Sequence, residues 1–285
     1  MFVHRGFRQT RAVYVAVGRG QWARAESLST NLPADVANDP NVLEQARHLR
    51  MALHARRGEV RTAQGESQVD VRGASGRAHL FLSVITGTRP VELTPTVASD
   101  TSTSALVTRG WHAALMGDVS AAQREQAALR RRSAVELARA GSAPSFLEAS
   151  VAAAENRWGD VIRVLAPIAL RGDEGGSWTW RRIGTPPVRW LVAEAYEHIG
   201  PPDSAAAAFE RVLEPPESQG IVTFVPYAHQ RLVMIYARMG RREDAERHWR
   251  EFSTAFTNPD PEVRHLLDKA RAAIMGLRAV SPRRD

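Results

Sequence analysis

The stretch Val188–Leu213, VRWLVAEAYEHIGPPDSAAAAFERVL, decides the fold. Within it, Tyr196 is followed by Gly200 at +4, Ala205 at +9 and Phe209 at +13. An apolar stripe of helical period leads up to Tyr196, and a glycine at this point can take the left-handed conformation that ends a helix. The small Ala205 would let a second helix approach the first, and Phe209 would fill the space beside them. The stretch therefore predicts two helices joined by a glycine turn.

The same frame returns forty residues later as Tyr236, Gly240, Ala245 and Trp249. A turn residue stands five positions before an Ala or Val at six places in the chain, which are Gly18, Gly58, Gly117, Asn156, Gly200 and Gly240. Their intervals are 40, 59, 39, 44 and 40 residues, and no convincing β-hairpin pattern lies between them. The fold class predicted is all-α, with about six helical hairpins.

Helix-capping residues agree with these turns. Asp39-Pro40 and Asp260-Pro261 each place an Asp before a Pro, which is typical of a helix start. Asp118 and Asp203 are positioned to cap the helices that follow Gly117 and Gly200.

The long interval of 59 residues indicates an insertion. A helix is expected over 78–86, ending at Gly87, and the Pro-, Ser- and Thr-rich segment that follows is interpreted as loop. The predicted organisation is N-terminal hairpins over 1–72, a degenerate helix and linker over 73–104, a C-terminal array with a capping helix over 105–278, and a basic tail over 279–285.

The frame residues resemble the tetratricopeptide repeat (TPR), a helix-turn-helix unit with a period of about 34 residues. The resemblance is strongest over 186–257 and implies a right-handed α-α superhelix whose first helices line a concave groove that binds peptides. Carried onto this chain, the groove positions would be Arg8, His48, Arg56, Trp111, Trp190, Glu194, His198, Tyr227, Gln230 and Arg238. The Lys/Asn carboxylate clamp of chaperone-binding members is not recognisable.

A second unusual loop, over 171–187, reads RGDEGGSWTWRRIGTPP. Its tryptophans either seal the space between neighbouring hairpins or form an aromatic, basic lip of a ligand site. The candidate lip residues are Trp178, Trp180, Arg181 and Arg182.

Composition narrows the function classes. The net charge is +7, and all 38 Lys and Arg residues except Lys269 are arginine, which suggests codon bias more than a selected surface. The arginine pairs are spread along the chain, whereas a nucleic-acid footprint would need them on one face. The chain has no Cys and no apolar run of the ~18 residues that a membrane span requires. We therefore expect a cytoplasmic protein.

No catalytic, cofactor or metal motif stands out. Gly18, Gly20 and Ala23 form a variant of the dinucleotide-binding fingerprint, but no second strand follows as that unit demands. Glu194 and His198 lie four residues apart and could supply half of a metal site, or simply a helix-face ion pair. We expect no enzyme activity, no cofactor and no metal.

Three functions remain open from the sequence. The first is a non-catalytic TPR-like scaffold that binds a protein or peptide in its concave groove. The second is a ligand-sensing array of a bacterial signalling or transcription-regulating protein, whose effector domain lies outside this chain. The third is an Arg-rich nucleic-acid binder, which the scattered arginines disfavour.

Overall fold

The computed structural model of the chain describes residues 12–13, 15–16, 19, 21–34, 37–66, 74–90, 92–93, 95–171, 185–214 and 224–280. Over these residues the chain forms fifteen helices and no strand, which confirms the all-α prediction. The helices are α1 (Trp22–Thr30), α2 (Pro40–Arg57), α3 (Val60–Glu66), α4 (Ala74–Thr86), α5 (Pro95–Ser99), α6 (Thr103–Leu115), α7 (Val119–Arg130), α8 (Ala134–Ala140), α9 (Ala143–Ala154), α10 (Trp158–Arg171), α11 (Thr185–Ile199), α12 (Pro202–Leu213), α13 (Val225–Arg238), α14 (Arg242–Ala255) and α15 (Pro261–Val280).

Five helix pairs pack against each other around the predicted turns: α2 with α3, α6 with α7, α9 with α10, α11 with α12, and α13 with α14. Four of the turn residues, Gly58, Gly117, Asn156 and Gly240, have φ between 58° and 83°. At Gly240, the N–H of Gly240 donates to Ala237 O at 3.1 Å and the next N–H donates to Tyr236 O at 2.9 Å. This pattern is the left-handed helix end that the sequence predicted. Gly18 lies outside the described residues.

Gly200 also joins two helices, but the prediction that it is left-handed is wrong, because it is absent from the residues of positive φ. Its N–H donates to Tyr196 O at 2.8 Å, as in a continuing helix. The next residue is Pro201, which has no N–H to donate the second bond of a left-handed helix end. A residue before proline is also driven toward extended backbone. The Gly-Pro-Pro sequence therefore closes this hairpin by a different turn.

At five of the six predicted turns, the small or aliphatic residue five positions later is buried, as expected for closely approaching helices. These residues are Ala63, Ala122, Val161, Ala205 and Ala245, each at most 1% exposed. Ala23, five positions after Gly18, is exposed, so the prediction is wrong for the first copy of the frame. Phe209 is also fully buried, whereas its counterpart Trp249 is half-buried. Buried apolar residues from α2 to α15 form one continuous core cluster, and a small second cluster joins α1 to α2.

Three of the four predicted caps lie at helix starts. Asp118 accepts a hydrogen bond from Ala121 N–H at 2.9 Å, and Pro40 and Pro261 are first helical residues. The prediction for Asp203 is wrong: Pro201 is the residue before the first turn of α12, and Asp203 lies within that turn. The Asp260 carboxylate accepts from Arg61 N–H at 2.8 Å, so it caps α3, about 200 residues away in sequence.

The insertion between the second and third predicted turns contains α4 and α5. The expected helix ending at Gly87 is confirmed, with Gly87 at φ 68°. The segment after it is not all loop, because it contains the short helix α5. Val97 of this helix is fully buried. Arg109 of α6 donates to Val97 O at 2.9 Å and to Asp100 O, which pins the segment to the core. The short helix α8, which ends at Gly141 with φ 60° and ψ −125°, was not predicted.

Helix α4 lies against the first helices of several hairpins. It packs on α2 and α6, and its Phe81 ring meets Trp190 of α11 at 6.0 Å and Phe224, just before α13, at 6.1 Å. These first helices are therefore partly covered by another helix of the chain itself.

Candidate ligand pocket

A pocket of about 200 Å³ lies where α4, α6, α9, α10 and α11 meet. Its lining is apolar and aromatic apart from Ser150 and Glu194. The apolar lining consists of Phe81, Val84, Trp111, Ala114, Leu115, Phe146, Ala153, Ala154, Trp158, Pro187, Trp190 and Leu191. Several of these, including Ala114, Ala153 and Trp158, are half-buried, so the pocket is open on one side.

Helical periodicity explains which residues of each helix line the pocket. On α11, Pro187, Trp190, Leu191 and Glu194 are spaced at i, i+3, i+4 and i+7, which puts them on one helix face. The pocket residues of α6, α9 and α4 are likewise three or four positions apart along each helix. The pocket is therefore the meeting point of several single helix faces.

The aromatic walls hold one another in fixed orientations. Trp111 meets Phe146 edge to face, with centroids 5.0 Å apart and planes at 85°. Trp190 makes edge contacts with Phe81 and, at 5.3 Å, with Phe209. Such edge-to-face pairs fix ring positions because the positive edge of one ring attracts the negative face of the other. Trp111 and Trp190 are 3% and 1% exposed, so their rings are rigid walls.

Trp158 forms the outer part of the wall. Its ring stacks on the His198 ring at 4.0 Å with an angle of 5° between the planes. His198 is exposed, whereas Trp158 is half-buried. The stack fixes one face of the indole against α11.

Among the described residues, Glu194 is the single ionisable side chain in the lining. Its side chain is 19% exposed, and burial raises the pKa of its carboxyl. The nearest cation in the described ranges is Arg231, which lies 4.0 Å away and makes its close ion pair, at 2.8 Å, with Glu197 instead. The buried Trp190 N–H makes no hydrogen bond of normal geometry with a described residue. It nevertheless lies near enough to the Glu194 carboxyl to favour its charged form and so to oppose the rise in its pKa. Glu194 is thus a weakly compensated carboxyl group in an aromatic pocket, and a neighbouring cation would favour its charged form.

Ser150, the other polar lining residue, has its hydroxyl engaged. It is buried and donates to Phe146 O at 2.8 Å, one turn back on the same helix. This common arrangement uses the hydroxyl proton locally and leaves oxygen lone pairs.

Four of the predicted groove residues lie in or beside the pocket. Trp111, Trp190 and Glu194 line it, and His198 stacks on its wall. The sequence prediction missed Phe81, Phe146 and Trp158. Trp158 comes two residues after Asn156 and begins the helix that follows this turn. Its position beside a predicted turn could have marked it as a candidate site residue. Phe81 could not be placed from sequence, because its contacts depend on where α4 folds back.

The remaining predicted groove residues lie elsewhere. Arg56 sits 3.7 Å over the Trp22 ring, in a second groove of about 190 Å³ between α1, α2 and α14. His48, Tyr227 and Gln230 are buried. Arg238 is exposed and donates to Glu197 at 3.0 Å.

Five predicted residues cannot be placed. Outside the described residues lie Arg8 and the candidate lip residues Trp178, Trp180, Arg181 and Arg182.

A polar cluster lies apart from the pocket, between α12, α13 and α14. His229 and His248 share a hydrogen bond between their Nδ1 atoms at 2.8 Å, and His248 Nε2 lies 3.0 Å from Glu210. Tyr236 donates its hydroxyl to the same carboxylate at 3.1 Å. Burial, reinforced by His248, lowers the pKa of His229 to about 4. The cluster is therefore neutral at its histidines and satisfied internally.

Within the described part of the chain, no three His, Asp or Glu side chains are placed together to hold a metal ion. Nor does any described helix have the length and apolar character needed to span a membrane.

No protein-family model, curated protein or solved structure matches the chain significantly. The likeness to tetratricopeptide repeats therefore rests on the turn frame of the sequence.

Proposed function

We propose that this chain is a non-catalytic, TPR-like binding protein whose ligand site is the aromatic pocket rather than an open groove. The main support for the proposal is that residues from five helices surround one small pocket, which is open on one side. Ligand sites in proteins are concave, mostly apolar and furnished with a few polar groups. Glu194 and the Ser150 oxygen supply such groups here.

The repeat architecture supports a binding role. Paired helices that pack on the next pair build a continuous core and leave an inner surface formed by first helices. We extend this to the right-handed superhelix implied by the TPR resemblance. Trp111, Trp190 and Glu194, which line the pocket, are among the residues that the resemblance assigns to that inner surface.

The position of α4 favours a small ligand or a single protruding side chain over a long peptide. Phe81 already occupies the space between Trp190 and Phe224. An extended peptide along the first helices would have to displace α4, whose Leu80 and Leu82 are fully buried. The sensing role expected as an alternative therefore fits the pocket better than the open scaffold role. A cytoplasmic location belongs to the same proposal.

The nucleic-acid alternative receives less support. Arg241 and Arg242, one of the arginine pairs, are engaged with Asp244 at 2.7 Å and Glu246 at 3.1 Å. Arginines already paired with carboxylates contribute less to a phosphate-binding surface.

A thermal-shift screen tests the proposal. The wild type, the pocket-filling variant Ala153→Phe and the control Ala121→Phe are melted with a panel of amines, carboxylates, sugars, nucleotides and short peptides. Ala153 lines the pocket, whereas Ala121 is half-buried on α7 outside it. A ligand should raise the melting temperature of wild type and Ala121→Phe but not of Ala153→Phe.

Equal shifts in all three proteins would contradict the proposed site. Circular dichroism confirms that each variant keeps its helices. If Ala153→Phe fails to fold, Leu191→Trp reduces the pocket from the α11 side and replaces it in the comparison.

A further inference from the structure

Three tryptophan side chains and a carboxylate line the same small space. Trp111, Trp158 and Trp190 all contribute to the lining, and Glu194 stands on the same helix face as Trp190. Indole faces carry negative electrostatic potential and attract cations within about 6 Å of the ring centroid. The tryptophan rings and the Glu194 carboxylate therefore both favour a positively charged ligand.

Among the described residues, no cation lies close enough to balance a charged Glu194 carboxylate well. Arg231 reaches it only at 4.0 Å and is shared with Glu197, to which it lies 2.8 Å away. A buried carboxylate loses its hydration and is stable only when other charges or donors compensate for that loss. A cation in the pocket would supply this compensation, whereas an anion would meet Glu194 at short range.

The size of the pocket limits the ligand further. Drug-sized ligands occupy pockets of roughly 300–1,000 Å³. The pocket here is about 200 Å³. It suits a small head group with an apolar surface, such as an alkylammonium or a quaternary ammonium.

On the basis of the proposed pocket, we infer that its ligand is an organic cation: an amine or quaternary ammonium whose head lies against Trp158 and Trp190 and beside Glu194. The cation is either a free small molecule or the side chain of a lysine, methylated or not, on a partner. Both sources present the same chemistry to the pocket.

Isothermal titration with matched probes tests the charge requirement. Choline is compared with 3,3-dimethylbutan-1-ol, which has nearly the same shape but no charge. A pentapeptide with central trimethyl-lysine is compared with its norleucine counterpart, which distinguishes a side-chain source from a free ligand. The charged member of each pair should bind about tenfold or more tightly than the neutral one.

Three variants identify the groups responsible. Glu194→Gln keeps the shape of the side chain and removes its charge, and it should weaken choline binding about tenfold. Trp158→Leu should weaken it to a similar degree. The control Glu243→Gln changes the net charge equally at an exposed position of α14 outside the pocket, and it should leave binding unchanged.

The failure of this inference is distinguishable from failure of the proposed site. If choline and its neutral analogue bind equally, and Glu194→Gln has no effect while Ala153→Phe abolishes binding, the pocket is a ligand site but not a cation site. If Ala153→Phe leaves binding intact, both proposals are overturned. If neither choline nor the peptide binds at concentrations up to about 10 mM, well beyond the millimolar limit of weak specific recognition, the cation inference is also overturned.

Discussion

The hydroxyl of Tyr227, at the start of α13, donates a hydrogen bond to the backbone carbonyl of Ala55, near the end of α2, at 3.0 Å. The two residues are 172 positions apart. Nearby, Asn258 N–H donates to Arg57 O at 3.1 Å and Asp260 N–H donates to Gly58 O at 3.0 Å. The turn of the α2–α3 hairpin is thus bonded to the connection between α14 and α15.

Removing the Tyr227 hydroxyl tests this long-range bond. Tyr227→Phe should lower the free energy of unfolding by about 1 kcal/mol. The loss stays modest because Ala55 O also accepts from Gly58 N–H at 3.0 Å. Tyr196→Phe is the control, since its hydroxyl makes no hydrogen bond with a described residue. Urea unfolding measures both, and equal stability losses would contradict the role of the Tyr227 bond.

A comparison of two glycines of positive φ distinguishes the stability cost of backbone strain from the cost of a steric clash. Gly58 and Gly240 have φ of 83° and 71°, so alanine strains the backbone at both. A Cβ at Gly58 would lie 2.8 Å from the Phe256 ring and 2.9 Å from Pro259 Cα, whereas a Cβ at Gly240 meets nothing within 4 Å. Gly58→Ala should therefore be more destabilising than Gly240→Ala by about 1–3 kcal/mol. Thermal melts of the pair decide it, and a difference near zero would show that the contact between the hairpins adjusts without cost.

Arg109 should hold the α5 segment in place. It forms a two-pronged ion pair with Glu125, at 2.9 and 2.8 Å, and donates to the carbonyls of Val97 and Asp100. Arg109→Ala should expose residues 95–101 to limited proteolysis, because its two hydrogen bonds to the backbone of this segment are lost. Arg124→Ala, on the exposed face of α7, is the control.

Mass spectrometry of the first fragments locates the cuts. Early cleavage within 95–101 in Arg109→Ala but not in the control is the expected result. Identical digestion of the two variants would mean that burial of Val97 alone secures the segment.

The histidine cluster should make stability depend on pH. The Nδ1 contact between His229 and His248 requires one ring to donate and the other to accept, so protonation of both would break it. With a folded pKa of about 4 against an unfolded value of 6.5, the unfolded chain takes up a proton at His229 over this range that the folded chain does not. The free energy of unfolding should therefore fall as pH falls from 6.5 to 4.

Matched variants isolate the contribution of this residue. His229→Gln should flatten the decline between pH 6.5 and 4, whereas His265→Gln, at an exposed position of α15, should not. Chemical denaturation at a series of pH values measures the slopes. A slope that stays unchanged in His229→Gln would show that His229 is solvated in the folded protein.

The sequence predicted the hairpins well because their turns are local. Gly58, Gly117, Asn156 and Gly240 needed only a residue that tolerates positive φ and a small or aliphatic partner five positions later. Gly200 failed because the following Pro201 removes the N–H that such a turn requires, a signal that was present in the sequence.

The pocket was only partly predictable. Trp111, Trp190 and Glu194 line the pocket and were among the groove positions that the TPR resemblance implied. Phe81 and the closure of the pocket by α4 depend on contacts between helices far apart in sequence, which periodicity does not encode. The bond from Tyr227 to Ala55 is unpredictable for the same reason.

The central claim, that the aromatic pocket is the ligand site, is tested most directly by nuclear magnetic resonance of the indole N–H groups. The chain has seven tryptophans, and each indole can be assigned by a Trp→Phe variant. On titration with choline, the indole signals of Trp111, Trp158 and Trp190 should shift together with one saturating curve, while those of Trp22 and Trp249 stay in place. Shifts that are largest at Trp22 or Trp249, or that leave the three pocket tryptophans unmoved, would contradict the account.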